Sequence, residues 1–147
     1  IIFSKTSSGG IYLEKDLKYI PEEYYVSVLE CLEELKNGYE ENNEEKGKSF
    51  KNNKKLSSLH EIKMFKVRVV YRILTPDTIF IIMAKMKKSD NDKRNRDEII
   101  MRSQKTDIEF EKLKKDMENE KLKQQLIEEN EMIYNCLLNQ MRKKGRW

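Results

Sequence analysis

The chain has 147 residues, 38% of them charged, with a net charge of +4. That length suits one domain with a tail or extension and a core that needs no staples. Two cysteines make no disulfide framework, and one histidine leaves no zinc cluster, so metal-site and small secreted scaffolds are set aside.

The +4 hides a segregation. Residues 1–47 hold 5 Lys against 11 Asp/Glu, residues 48–75 hold 8 Lys/Arg against 1 Glu, and residues 85–96 hold 6 against 2. Residues 97–147 balance 11 against 11. A basic stretch on a small domain is the electrostatic footprint of nucleic-acid binding, or simply one basic face. The longest apolar run, Ile79 to Ala84, is far too short for a membrane span. The start, IIFSKTSSGG, has no h-region and no initiator Met, so it is read as a boundary within a longer chain rather than a signal peptide. Cys31 and Cys136 sit in apolar helical patterns and are read as small buried thiols of a reducing cytoplasm.

In chain order, Ile11-Tyr12-Leu13 reads as a short edge strand after Gly9-Gly10. Pro21 opens a helix, with Glu22-Glu23 at its positive end and a stripe of Tyr25, Val28, Leu29, Leu32 and Leu35. Asn37-Gly38 stops it. Residues 39–55 have almost no apolar side chains and read as a long loop. Three strands follow: Leu59 to Phe65, Val67 to Leu74, and Ile79 to Met86. Phe65-Lys66 and Thr75-Pro76-Asp77-Thr78 are the turns between them. Val67, Val69, Tyr71 and Ile73 share one face of the second strand, and Arg68, Val70 and Arg72 share the other. The third strand is apolar on both faces, as a covered central strand is. From Asp97 to Met141 a helical stripe runs through Ile99, Ile100, Ile108, Phe110, Leu113 and Met117, then through Leu122, Leu126, Ile133, Leu137 and Met141. The rhythm breaks between Met117 and Leu122, which places a joint near Glu118-Asn119. The second half would fold back as a lid or pair with another chain.

No Gly-rich phosphate loop follows a strand, and no triad motif is present. What remains is a sheet with convergent cations, which can suffice for RNA cleavage. There the 2′-hydroxyl attacks the adjacent phosphate, and the protein orients the attack and neutralises the phosphate oxygens. Arg68 and Arg72, four apart on one strand, would stand roughly 13 Å apart and grip successive phosphates, or be outward residues of a wet face. His60 reads either as a general acid or base or as a half-buried strand residue.

The ordered set Lys54-Lys55-Leu56, Leu59-His60-Glu61-Ile62-Lys63, Val70-Tyr71-Arg72-Ile73-Leu74 and Ile81-Ile82-Met83-Ala84-Lys85-Met86-Lys87-Lys88 resembles the RelE/HigB superfamily of toxins, in its phage-derived HigB-like branch. His60 stands for the usual aromatic, Lys63 for the usual Arg, and Lys85 where an aromatic is common. The resemblance implies an α+β fold: an N-terminal helix, a compact antiparallel sheet of three to four strands and C-terminal helices. It divides the chain into a toxin domain, 1–117, and a helical extension, 118–147; the helical stripe of that extension is a route to self-association. It implies a cytoplasmic endoribonuclease that cleaves mRNA on the ribosome without cofactor or metal and is silenced by a helix-turn-helix antitoxin. By residue matching, Lys63, Arg68, Arg72, Lys87 and Lys88 are the catalytic candidates, with Lys54, Lys55, Lys66 and Lys85 as further RNA contacts. The alternative is a non-catalytic RNA- or protein-binding module of the same fold from a phage or mobile element.

Overall fold

The structure is a computed structural model that describes residues 1–38, 47–49, 59–86 and 93–145. It is α+β. In order the elements are β1 (Ile2–Phe3), α1 (Tyr12–Leu17), a 3-10 turn (Glu22–Tyr24), α2 (Tyr25–Lys36), β2 (Gly47–Ser49), β3 (His60–Met64), β4 (Val67–Thr75), β5 (Thr78–Met86), α3 (Lys93–Asp116) and α4 (Glu120–Gly145). Among the described residues no helix is long and apolar enough to cross a membrane.

The sheet order is β1-β5-β4-β3-β2. The three strands read from alternation pair antiparallel, β3 to β4 and β4 to β5, through two short turns. Two additions make it a mixed five-stranded sheet instead of an antiparallel one of three or four. β2 lies inside the stretch read as a loop and pairs with β3. β1 pairs in parallel with β5. Ile11-Tyr12-Leu13 is not a strand. Ile11 makes a single bridge to Lys5, and helix α1 starts at Tyr12, with Leu13, Asp16 and Leu17 buried at helical spacing. The helix expected from Pro21 begins as the 3-10 turn and becomes α-helical at Tyr25.

The sheet is covered on both faces. On one, Val28, Leu32 and Leu35 of α2 meet Ile62, Val67, Val69 and Tyr71, joined by Tyr134, Leu137 and Met141 of α4. On the other, Ile99, Phe110 and Leu113 of α3 meet Val70, Leu74, Phe80 and Ile82. The buried positions of α3 fall at Asn95, Ile99, Thr106, Phe110 and Leu113, with Met117 just beyond its end, so Ile108 is out of phase and 84% exposed. Ile73, expected on the inner face, is exposed as well. Cys31 is buried and Cys136 is exposed on α4, against the expectation of two buried thiols.

The α3–α4 pair straddles the sheet at its β1 edge. Two outward amides there donate to helix side chains: Phe3 N–H to Asn130 Oδ1 at 2.9 Å and Lys5 N–H to Glu109 Oε1 at 2.9 Å. That protects an edge that would otherwise invite strand pairing.

Candidate functional site

The tight turn at Phe65-Lys66 fixes the register of β3 on β4, which sets Lys63 beside Arg68. The β4–β5 register then sets Arg68 beside Lys85. Three cations thus stand in one row across three strands, on the face that α3 covers. Like charges directly opposite repel, so such a row needs acids close by. Glu61, on the same face of β3, is fully buried and lies 3.0 Å from Arg68 Nε and 3.4 Å from Lys63 Nζ. Lys85 Nζ donates to Glu98 Oε2 of α3 at 2.6 Å. Among the described residues, these three positive and two negative groups form a compact cluster.

Its members differ in access. Arg68 is 1% exposed, held under α3. Lys63 keeps 24% of its side chain in solvent at one end of the row. Lys85, at the other end, is only 8% exposed, at the wall of a cleft of about 440 Å³ between α1, β5 and α3.

Arg72 shares the face of Arg68, as the alternation predicts, but that face is not wet. Its guanidinium carbon lies 3.6 Å from the centre of the Phe110 ring, and Nη1 donates to Asp107 Oδ1 at 2.9 Å. The side chain is engaged in anchoring α3. Lys66 is exposed in the turn, its ammonium 5.6 Å from the Phe65 ring centre. Lys54, Lys55, Lys87 and Lys88 lie outside the described residues. His60 pairs with Tyr71 across β3 and β4 and stacks on it at 5.4 Å, on the α2 face, away from the cation row. Burial pushes its imidazole below the ordinary value.

No family model, curated protein or solved structure matches this chain.

Sequence reasoning missed a well-built polar contact between Asp16 and Arg102. Asp16 of α1 accepts from Arg102 Nη2 at 2.7 Å and Nη1 at 3.0 Å, and from the Ala84 amide of β5 at 3.0 Å. Arg102 Nη1 also donates to the Ile82 carbonyl at 3.1 Å, and its guanidinium covers the Tyr12 ring at 4.2 Å. This bidentate pair joins α1, β5 and α3 where β1 no longer covers the β5 edge. Asp16 stands in a helix of which only Tyr12 and Leu13 were assigned, as strand, so nothing in its spacing advertised it. Glu98 and Arg102 stand at i and i+4 on α3, a spacing that by itself fits a solvated pair. Among the described residues, no group of three His, Cys, Asp or Glu is placed to hold a metal.

Proposed function

We propose that the chain is a toxin of the RelE/HigB kind: a cytoplasmic endoribonuclease that cuts mRNA on the translating ribosome and is held silent by a helix-turn-helix antitoxin. The observation that carries this reading is the row Lys63–Arg68–Lys85. Two of the motif-matched catalytic candidates and one of the RNA contacts fall side by side on three adjacent strands.

In this reading the buried guanidinium of Arg68 is a positioning group. It holds Glu61 in place, and that carboxylate in turn holds Lys63. Phosphate is met by the two ends of the row, Lys63 and Lys85. An ammonium at each end lowers the energy of the doubly charged phosphorane that forms when the 2′-oxygen attacks. The attacking 2′-hydroxyl gives up its proton to water as the P–O2′ bond forms, and as the P–O5′ bond breaks the leaving 5′-oxygen takes a proton from an ammonium.

A second reading is a non-catalytic RNA- or protein-binding module. The neutralisation of the row by Glu61 and Glu98 favours it, because paired cations offer a phosphate less field. Induced expression separates the two. A toxin arrests growth and leaves translated mRNA cut, and Lys63→Ala with Lys85→Ala abolishes both effects. A binding module leaves growth and mRNA intact and shows RNA affinity that falls steeply with salt.

A further inference from the structure

The cleft at the Lys85 end of the row is built from three elements. α3 presents Glu98, Met101, Arg102 and Lys105, an i, i+3, i+4, i+7 stripe on one helix face. α1 and the residues after it give Asp16, Tyr19 and Ile20, and the floor is Met83 to Met86 of β5. Its volume of about 440 Å³ lies in the range of small-molecule sites.

Two features of the lining are not explained by the fold. The first is charge. Asp16 is matched by Arg102 and Glu98 by Lys85, while Lys105 makes no salt bridge among the described residues. The lining holds one cation more than its carboxylates balance, and that cation is exposed. The second is apolar surface left in water. Tyr19 is 86% exposed and Met101 55% exposed, and both line the cleft. Neither side chain contributes to either core cluster. A flat aromatic face, polarisable thioethers and an adjacent spare ammonium fit a ligand with a planar ring on one side and an anion on the other.

We propose that this cleft binds a nucleoside monophosphate unit, with the base against Tyr19 and Met101 and the phosphate against Lys105 and Lys85. The reading of the chain as a ribonuclease enters only in the source of that unit, which would then be a nucleotide of the RNA held beside the cation row.

Methionine methyl NMR of the whole chain, labelled at its seven Met residues, provides the test. The probes are adenosine 5′-monophosphate, adenosine and inorganic phosphate. The nucleotide is expected to shift the methyls of Met83, Met86 and Met101 saturably and to leave Met132, exposed on α4, unmoved. Lys105→Glu should weaken the nucleotide about tenfold or more, the loss of one charge-assisted contact, and leave adenosine unchanged. Tyr19→Ala should weaken both. Both side chains are exposed, so neither variant threatens the fold. The proposal is overturned if the nucleotide moves none of the three methyls at about 10 mM, well above what a ligand of this size needs in a formed site. It is overturned equally if Lys105→Glu and Tyr19→Ala bind the nucleotide as the parent does. A short single-stranded oligoribonucleotide that shifts the same methyls at lower concentration identifies RNA as the source; equal affinity identifies the free nucleotide, and the cleft stands in both cases. Methyl shifts without mRNA cleavage sink the ribonuclease reading alone, and cleavage without methyl shifts sinks the cleft alone.

Discussion

The carboxylate of Asp16 accepts from both terminal nitrogens of Arg102 and from the Ala84 amide, and it is buried. Asp16→Ala would strand a guanidinium that is itself largely buried and open a β5 amide. Breaking a buried pair from one side costs about 3 kcal/mol or more, because the remaining charge is left uncompensated. Urea denaturation should therefore give a lower midpoint with an unchanged slope. His60 makes a prediction of a different sign. Burial holds its imidazole below 6.5, so on acidification the unfolded chain takes up a proton before the native one does. Its contribution is complete above 6.5 and is lost as pH falls below that value. Stability should thus rise with pH through this window. His60→Phe keeps an aromatic ring against Tyr71 and removes the titration, so its gain between about pH 5.5 and 7.5 should be smaller than the parent's. A variant with the same pH dependence as the parent would assign the acid sensitivity to the carboxylates instead.

At the scale of elements, the joint between α3 and α4 was legible because the stripe loses phase between Met117 and Leu122. Asn119 supplies the start signal: its Oδ1 accepts from the amides of Lys121 at 3.0 Å and Leu122 at 3.2 Å. Asn119→Ala should cost about 1 kcal/mol, read as a lower thermal midpoint, while Asn119→Asp should restore it. Strands β3, β4 and β5 were equally legible, since alternation and turn residues fix a strand locally. β1 and β2 were not, because strands of two and three residues have no period to read. α1 was misread because Ile11-Tyr12-Leu13 has strand-like composition, and tertiary packing of Leu13 and Leu17 overrides it. The cation face was found but its environment was not. Alternation tells which residues share a face, and it cannot tell a wet face from one under a helix. Glu61 was the available clue, a lone acid in the most basic stretch of the chain, placed where it neutralises Arg68 and Lys63.

At the scale of the molecule, the segment 118–147 decides whether the chain is a domain with an appendage or one body. Tyr134, Leu137 and Met141 of α4 sit in the same cluster as Phe3, Val28 and Leu32. The ammonium of Lys36 covers the Tyr134 ring at 4.7 Å, and Asn130 accepts the Phe3 amide at 2.9 Å. Three buried side chains of this size contribute about 5 to 8 kcal/mol by transfer alone, against a total stability of about 5 to 15 kcal/mol for an ordinary domain. Removing them would also bare the outer edge of β1 and leave α2 with an apolar face in water. A chain cut after Met117 should therefore fail to hold tertiary structure. Its near-ultraviolet circular dichroism should be lost and its amide spectrum collapsed, while the intact chain gives dispersed signals. A truncated chain that folds and keeps dispersed signals would make 118–147 the appendage that the family resemblance implies. In that event the contacts of Tyr134, Leu137 and Met141 would be additions to a core already sufficient without them. If truncation unfolds the chain, loss of activity on deleting α4 is no measure of a catalytic role for that helix, and variants at Lys63, Lys85 and Lys105 in the full chain remain the way to test the site.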